Sequence, residues 1–424
     1  MRPDGGGSAP AGPVEPVRID RIAAGGDGVG RLPDGRVVFV PRTAPGDRIE
    51  CRITRSSARF ARGRIGRLLE PGPERIEPPC RHYRDDECGG CQLQHLATGA
   101  QRAARRAVAG DALRRIGRLA VDDPPLVAGE REWGYRSKIT LSRGPDGSIG
   151  YHRLERPGQI VPLRTCPIAA AEVNALWERV RGAGKLPREL ERLTLRRDRS
   201  GGEHVILETG EGRPWAGGRE LHRAAAGERP LTVWWRPAGG AARAVAGADS
   251  AYPATAFEQI NPEMGDRARH RAVEGLGDVA GLLAWDLYAG IGEASDLLAR
   301  GGARVQAVER DGSAVAEAER RQLVFGRQIE RVAGPVERVV RSLERPDVVI
   351  VNPPRTGLVP EAAEAVLAAK PRRIGYVSCD PATLARDLVR LGVGSGGYRL
   401  ESLEAFDLFP QTAHVETVAV LERA

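Results

Sequence analysis

The stretch Leu283-Ala284-Trp285-Asp286-Leu287-Tyr288-Ala289-Gly290-Ile291-Gly292 decides the fold of the C-terminal part of the chain. Its first five residues are typical of a buried strand, and the glycines that follow are typical of a tight turn into a helix. Further short apolar runs lie at 305–308, 348–351 and 374–377, with helical segments between them. Because strands that are apolar on both faces belong to parallel sheets covered by helices, the sequence predicts an α/β Rossmann-like domain over residues 251–424.

Polar residues at the ends of these strands predict the ligand. In open α/β sheets the ligand lies beyond the carboxyl ends of the strands, where Gly290 and Gly292 let the backbone approach it closely. Glu309 ends the next strand, where its carboxylate can accept hydrogen bonds from ribose hydroxyls. Ser295 occupies the third position of the Gly-x-Gly-x-x-Gly pattern, so a dinucleotide is disfavoured. The pattern resembles the first motifs of class I S-adenosylmethionine methyltransferases, and the alternative is a packing turn without a ligand.

The residues before 251 show a different pattern of apolar runs and turn residues. Short apolar runs bounded by Asp-Gly and Pro-Gly turns between Val14 and about Leu69 predict a small OB-like antiparallel barrel. A proline-rich linker follows, then a basic helix over residues 100–119. A mostly β region extends over 135–247, with a helix near 169–181. The predicted organisation is a disordered tail at 1–13, a barrel domain at 14–70, a central domain at 71–250 and the α/β domain at 251–424.

Composition limits the class of protein. At about 150 residues per domain, 424 residues allow several domains with real cores. The chain has no apolar run near 18 residues and no apolar segment at its start, so we expect a cytoplasmic protein without a membrane span. The net charge is +8, and only three of the 64 basic residues are lysine. The arginine excess favours a nucleic-acid partner, although a GC-rich genome would also produce it.

The cysteines are unevenly spaced. Cys80, Cys88 and Cys91 lie within twelve residues, and Cys166 follows at a distance. In a cytosolic chain this pattern favours a metal or iron–sulfur site over structural disulfides. The spacing alone leaves zinc and iron–sulfur equally open.

Two residues suggest the chemistry. Cys379 lies between a strand and a helix, with Asp380 as the candidate N-cap and Pro381 at the first helical position. A helix N-terminus can stabilise a thiolate, which makes Cys379 a candidate nucleophile near neutral pH, whereas an isolated cysteine is more often a core residue. Glu416 opens the last strand, and we expect the fold to bring it to the same rim of the sheet. A thiolate and a carboxylate beside a methyl donor fit C5 methylation of a pyrimidine, because C5 becomes nucleophilic only after a thiolate adds to C6.

Asn352-Pro353-Pro354-Arg355 supports a second hypothesis, that the chain is a nucleic-acid amino-methyltransferase. Amino-group methyltransferases hold an exocyclic NH2 with an Asn-Pro-Pro-aromatic run, but here Arg355 replaces the aromatic residue. A third hypothesis is an RNA-binding or chaperone module whose catalytic site has decayed. The joint presence of donor, nucleophile and base motifs speaks against it.

These motifs together resemble the RNA uracil-C5 methyltransferases, in the branch with an N-terminal TRAM domain and an iron–sulfur cluster. The resemblance covers nearly the whole chain after the tail, including the run Cys88-Gly89-Gly90-Cys91-Gln92-Leu93-Gln94-His95-Leu96. It implies that residues 14–70 are the TRAM domain. It also implies a [4Fe–4S] cluster with a structural role, with the four ligands Cys80, Cys88, Cys91 and Cys166.

The resemblance further implies the residues of the methyl-transfer site. Cys379 matches the nucleophile and Glu416 the proton acceptor. S-adenosylmethionine is expected to contact Gln259, Tyr288, Glu293, Glu309 and Asn352. At two of these positions the chain departs from the family: Asn352 replaces the usual Asp, and Glu293 replaces a small polar residue. The implied substrate is RNA, with 23S ribosomal RNA favoured over transfer RNA, and the expected oligomeric state is a monomer.

Overall fold

The computed structural model describes residues 12–184, 186–210, 215–247, 252, 254–321 and 328–424. Most of the predicted tail at 1–13 therefore lies outside the described residues, although the carbonyl of Pro13 accepts a hydrogen bond from the amide of Ile53. The chain forms two compact units. One comprises the residues up to Val108 together with Gln411–Ala413, and the other comprises Ala109–Pro410 together with His414–Ala424.

The first unit contains a closed five-stranded barrel with the strand order β1-β2-β3-β5-β4. The predicted barrel is present, but the prediction that it is antiparallel throughout is wrong, because β3 and β5 pair in parallel. Alternate residues of β1 and β4 point inward, so Val17, Ile19 and Ile49 form its core. Cys51 belongs to this core, and burial raises the pKa of its thiol to about 11. This lone cysteine is a packing residue. The strands are β1 (Val14–Ile22), β2 (Gly28–Arg31), β3 (Val37–Val40), β4 (Arg48–Ser56) and β5 (Phe60–Glu70).

The proline-rich segment after the barrel is anchored to it. Asp47 is fully buried and accepts hydrogen bonds from the amides of Ala44 and Gly72, and it forms an ion pair with Arg75. Nearby, Leu93 and Leu96 pack against barrel residues. The residues from 71 to 96 therefore complete the barrel unit instead of forming a free linker.

The next sheet belongs to the second unit and has seven strands in the order β13-β12-β11-β10-β7-β8-β9. All neighbours are antiparallel except β11 and β12. A mostly β region with a helix near 169–181 was predicted, and α4 is an additional helix. In chain order the elements after the barrel are α1 (Arg81–Arg84), α2 (Thr98–Arg115), β6 (Leu126–Val127), β7 (Lys138–Arg143), β8 (Ile149–His152), β9 (Ile160–Pro162), α3 (Ala171–Ala183), β10 (Leu190–Arg197), β11 (Glu203–Thr209), α4 (Gly218–Ala225), β12 (Leu231–Pro237) and β13 (Arg243–Ala246).

The last sheet has eight strands in the order β16-β15-β14-β17-β18-β20-β19-β6. Apolar clusters cover both of its faces. The remaining elements are α5 (Pro262–Glu274), β14 (Leu283–Leu287), α6 (Glu293–Arg300), β15 (Arg304–Glu309), α7 (Gly312–Arg321), β16 (Ile329–Ala333), α8 (Val336–Val339), a 3₁₀ turn (Val340–Ser342), β17 (Val348–Val351), α9 (Pro360–Ala369), β18 (Arg373–Ser378), α10 (Pro381–Arg390), β19 (Tyr398–Phe406) and β20 (Glu416–Arg423).

The prediction of a parallel sheet is correct for β14–β18 but wrong for the last strands. β20 runs antiparallel to β18, and β19 runs antiparallel to β20. β19 was missed because its sequence has polar residues throughout, and it is exposed or half-buried along much of its length. At the sheet edge, β6 comes from far upstream and pairs with Ala405 and Phe406. The antiparallel return of β20 brings the start of that strand to the carboxyl end of β18.

Candidate active site

The turn after β14 is strained in a way that is typical of a ligand site. Tyr288 has φ 65°, and Gly290 and Gly292 have φ 57° and 82°. A left-handed conformation at a bulky residue such as tyrosine costs on the order of 1 kcal/mol or more and persists mainly at functional positions. α6 begins directly after Gly292, at Glu293. This backbone geometry is compatible with the close approach of a ligand that the two glycines predict.

Glu309 lies beside this turn at the end of β15. Its Oε2 accepts a hydrogen bond of 2.9 Å from the amide of Gly290, and its Oε1 accepts one of 2.8 Å from the amide of Asp311. Each carboxylate oxygen has a second lone pair, so the fixed carboxylate can still accept bonds from ribose hydroxyls. The residues at this edge therefore fit an adenosyl group.

Ser295, the residue that breaks the Gly-x-Gly-x-x-Gly pattern, has a structural role. Its hydroxyl donates a 2.5 Å hydrogen bond to Oδ2 of Asp286 on β14, and both side chains are buried. Burial raises the pKa of Asp286 to about 6, although the Ser295 bond opposes the shift. The pair ties the start of α6 to the strand beneath it.

Asn352 and Glu293, which were also predicted to contact the methyl donor, have different surroundings. The backbone amide of Asn352 donates to the carbonyl of Leu287, so Asn352 lies next to Tyr288. The half-buried carboxylate of Glu293 lies between two guanidinium groups, 2.7 Å from Arg199 and 3.0 Å from Arg269. Burial raises the pKa of Glu293, and the two arginines oppose this shift. The negative charge of Glu293, which replaces the small polar residue expected at this position, is therefore compensated by two ion pairs.

Cys379 and Glu416 stand at facing ends of paired strands. Ser378 ends β18 and pairs with Thr417 of β20, so Cys379 and Glu416 are the next residues outward on the two strands. The Thr417 hydroxyl donates a 3.0 Å bond to the carbonyl of Ser378 and closes this corner. As predicted, Asp380 caps α10: its Oδ1 accepts hydrogen bonds from the amides of residues 382 and 383, and proline occupies the first turn.

Glu416 has the environment of a proton acceptor. Its side chain is almost completely buried, and burial raises its pKa to about 8, while the Gln259 bond and the charges of Arg355 and Arg269 oppose the shift. Oε1 accepts a 3.5 Å bond from Nε2 of Gln259, whereas Oε2 is buried without a partner among the described residues. Buried polar atoms are nearly always satisfied, so this oxygen is available for a group that is brought by the substrate.

Cys379 is half-buried, and its thiol is harder to ionise than the sequence suggested. Burial and the charge of Glu416 raise its pKa to about 11, while the charge and hydrogen bond of Arg355 lower it. The expectation of a thiolate near neutral pH from the helix N-terminus is therefore not met. Desolvation and a neighbouring carboxylate outweigh the favourable contributions of α10 and Arg355.

Arg355 and His414 complete the rim and were not assigned a role from the sequence. The Nη2 of Arg355 donates to Nε2 of His414 across 3.5 Å. Burial, Arg355 and Arg136 lower the pKa of His414 to about 4, so the imidazole is neutral at physiological pH. The available signal was position: Arg355 follows β17 after two prolines, and the ends of neighbouring strands meet at one edge.

The predicted metal ligands are buried and in no disulfide. Cys80, Cys88 and Cys91 belong to the first unit and are 7%, 8% and 7% exposed. Cys166 belongs to the second unit; burial raises the pKa of its thiol, and the amides of residues 168 and 169 oppose the shift. Within the described ranges, no three His, Cys, Asp or Glu side chains are gathered closely enough to hold a metal ion.

Comparisons with known proteins identify the family. A TRAM domain model matches residues 11–65, and a tRNA (uracil-5-)-methyltransferase model matches residues 337–424. An RNA methyltransferase of Gloeobacter violaceus is 34% identical and covers 100% of this chain and 99% of its own length. The chain belongs to the RNA uracil-C5 methyltransferase family.

Two further relatives carry more specific names. A 23S rRNA (uracil(1939)-C(5))-methyltransferase of Thiobacillus denitrificans is 32% identical, over 94% of this chain and 97% of the relative. The crystal structure of Pyrococcus abyssi tRNA (uracil-54, C5)-methyltransferase in complex with S-adenosyl-L-homocysteine superposes with a TM-score of 0.71 at 25% identity, covering 96% and 99% of the two chains.

Membership of this family makes the chain an S-adenosylmethionine-dependent RNA uracil-5-methyltransferase with an N-terminal TRAM domain. Neither the amino-methyltransferase nor the non-catalytic module is supported by these matches. Among the described residues, the methyltransferase has no helix that is long and apolar enough to cross a membrane.

Proposed function

We propose that this methyltransferase methylates C5 of a specific uridine in 23S ribosomal RNA through a covalent bond between Cys379 and C6 of the base. One observation carries the proposal: Cys379 and Glu416 face each other at the ends of β18 and β20, and Oε2 of Glu416 is buried without a described partner. A nucleophile beside a proton acceptor is what C5 methylation requires.

The residues act in sequence. Cys379 loses its proton to solvent, and Sγ adds to C6, which makes C5 electron-rich. Arg355 stabilises the thiolate before attack, because its guanidinium donates to the sulfur. S-adenosylmethionine supplies the electrophilic methyl group when it is bound. After C5 has taken the methyl group, Oε2 of Glu416 removes the C5 proton, the double bond re-forms and the C6–sulfur bond breaks. The cysteine leaves as a thiolate, so electrons and protons balance.

The residues that hold the donor in this proposal lie at the carboxyl ends of β14, β15 and β17. Glu309 accepts from the ribose hydroxyls, and Tyr288 and Asn352 border the same edge. Gln259 bonds to Glu416 and therefore connects the donor residues to the proton acceptor. Glu293 supports the turn through its arginine partners.

The assignment of 23S ribosomal RNA is supported by the relative from Thiobacillus denitrificans, which matches over nearly the whole of both chains. Transfer RNA is the second candidate, because the superposable Pyrococcus abyssi enzyme is named for it. Mapping 5-methyluridine in both RNAs from wild-type and deletion cells separates the candidates. Loss of a single ribosomal site supports the proposal, and loss of a transfer RNA site alone overturns it.

Trapping the covalent adduct tests the mechanism. RNA that contains 5-fluorouridine should react with the wild-type enzyme and donor to give a species that migrates slowly on denaturing gels, because fluorine cannot leave as a proton. The Glu416→Gln variant should accumulate a similar adduct with ordinary RNA. Cys379→Ala should give none, while the matched Cys51→Ala variant, which alters the barrel cysteine, should behave like wild type. Formation of 5-methyluridine by Cys379→Ala would refute the covalent mechanism.

We also propose a structural [4Fe–4S] cluster held by Cys80, Cys88, Cys91 and Cys166. The support is the cysteine spacing, the burial of all four thiols and the absence of disulfides among them. Because binding of the group is linked to folding, anaerobically purified Cys166→Ser should lose iron and melt at a lower temperature, with Cys51→Ser as the control. Unchanged iron and melting in Cys166→Ser, or zinc in place of iron in wild type, would contradict the assignment.

A further inference from the structure

The segment directly before Gln259 in the chain is held in place by Arg196. Arg196 on β10 is only 2% exposed, and its Nη1 donates to the carbonyls of Ala254 at 3.2 Å and Ala256 at 3.0 Å. Its Nη2 lies 2.7 Å from Oε2 of Glu258. One buried guanidinium therefore contacts three residues of the five that directly precede Gln259.

Gln259 is also fixed from the side that follows it. The backbone amide of Ser137 donates a 2.8 Å bond to the carbonyl of Ile260, and its hydroxyl lies 3.2 Å from the same oxygen. Asn261 then caps α5 by accepting from the amide of Met264. Gln259 is thus the residue between two anchored points, and its Nε2 is the described group that bonds to Glu416.

The ionic character of Arg196 is not explained by packing. Burying a guanidinium costs free energy, and an apolar side chain of similar size often serves a core equally well. The hydrogen bonds of Arg196 go to the residues before Gln259, and Tyr252 supports the arrangement by donating to Oε1 of Glu258. The charged group of Arg196 therefore serves to fix the backbone conformation of residues 254–258.

We propose that Arg196 is a positioning residue that acts through Gln259 on Glu416. This inference rests on the proposed role of Glu416 as proton acceptor. Arg196 touches neither the RNA base nor the donor in this account. It sets the backbone from 254 to 258, which aims the Gln259 amide at the carboxylate.

The inference has a measurable electrostatic consequence. The groups facing Glu416 are Gln259, Arg355 and Arg269, all of which lower its pKa, and the thiol of Cys379. Displacing the Gln259 amide removes one of the three opposing contributions. The carboxylate then titrates at a higher pH, so the activity at neutral pH falls more than the activity at alkaline pH.

A double-mutant cycle tests the inference on the full-length enzyme. We expect Arg196→Lys to lower kcat by about 10- to 100-fold and to move the rising limb of the pH–rate profile upward, as Gln259→Ala does. In the Gln259→Ala background, Arg196→Lys should add less than about twofold, because the residue through which it acts is gone. Arg192→Lys, an exposed arginine on the same strand, is the matched control.

The outcomes separate the two proposals. An equal loss from Arg196→Lys in both backgrounds, or a loss with an unchanged pH profile, would assign Arg196 a merely structural role while leaving the proposed function intact. Adduct formation without Cys379 would instead refute the proposed function. If Arg196→Lys does not fold, the combination Arg196→Met with Glu258→Gln leaves no buried charge unpaired and carries the same cycle.

Discussion

Glu416 combines catalytic suitability with a cost in stability. Its folded pKa of about 8 lies above its ordinary value of 4.5 because the carboxyl group is fully buried. The protonated form is favoured in the fold, so this contribution to stability is complete below about pH 4.5 and is lost as the pH rises through about 8. The buried carboxylate therefore destabilises the fold in its deprotonated form, which is the form that the proposed role as a base requires.

The first prediction follows from this linkage. Glu416→Gln should melt at a higher temperature than wild type at pH 8.5, by the equivalent of about 2–4 kcal/mol, and the difference should disappear near pH 5. Thermal unfolding at a series of pH values measures it. Glu422→Gln, near the C-terminal end of the same strand, should show no such gain, since the pKa of Glu422 is lowered by Arg399 and Arg373. A pH-independent difference for Glu416→Gln would contradict the assigned burial effect.

A second prediction concerns Arg355 and the thiol. Because the pKa of Cys379 is about 11 and that of Glu416 is about 8, the doubly deprotonated form grows with pH, and the methylation rate should rise between pH 6.5 and 9. Removing the guanidinium in Arg355→Gln should raise the thiol pKa further and slow the reaction about tenfold for each unit. Initial rates across the pH range test this. Arg341→Gln, which removes an exposed ion pair with Glu364, should leave the profile unchanged, and a wild-type rate that falls with pH would rule the scheme out.

At the scale of single elements, the corner between β18 and α10 determines the position of Cys379, the proposed nucleophile. The N-cap at Asp380 satisfies the first amides of α10 directly after Cys379. The carboxylate charge of Asp380 also raises the pKa of that thiol. The cap stabilises the fold, whereas the charge disfavours the thiolate, and two substitutions separate these effects.

We therefore expect different results from Asp380→Ala and Asp380→Asn. Asp380→Ala loses the cap and should destabilise the enzyme by about 0.5–2 kcal/mol. Asp380→Asn keeps the cap and removes the charge, so it should retain stability and show a higher methylation rate at pH 7 than wild type. Chemical denaturation and rate measurements on both variants give the comparison. A lower rate for Asp380→Asn with unchanged stability would show that the charge has another function.

At the scale of the whole molecule, the barrel is integrated into the unit that carries it. Deleting residues 1–72 would remove Asp47, the buried partner of Arg75, and the barrel residues against which Leu93 and Leu96 pack. Such a deletion would therefore disturb folding as well as RNA binding. Substitutions at the turn between β4 and β5 and in the adjoining ends of the two strands are the sharper test of RNA contact, because Arg55, Arg59 and Phe60 are exposed there.

The fourth prediction uses this turn. Affinity for substrate RNA should fall steeply with salt, because cationic side chains release counterions from phosphates. Arg55→Ala with Arg59→Ala should weaken RNA binding and reduce the log–log salt slope by about one for each lost phosphate contact, without changing donor binding. Arg48→Ala, whose side chain is paired with Glu70, is the control. An unchanged slope in the double variant would exclude this turn from the RNA interface.

The sequence by itself determined the strands of the α/β sheet that are buried on both faces. The strands at 283–287 and 348–351 were predicted with their observed bounds, because continuous apolar runs identify such strands locally. It also determined the family, the donor-site turn and the identity of the candidates Cys379 and Glu416, since these depend on residue type and order along the chain.

Only the tertiary structure decided which edge strands pair and how the pKa values of Cys379 and Glu416 are shifted. β19 and β6 are joined by pairing between residues almost 280 positions apart, which no local pattern reveals. The raised pKa values of Cys379 and Glu416 arise from burial, and the groups that oppose them, Arg355 and Gln259, come from other parts of the chain. Desolvation and charge–charge interactions depend on distance in space, so the sequence can name the candidate reacting groups, while the fold sets their protonation and the contacts around them.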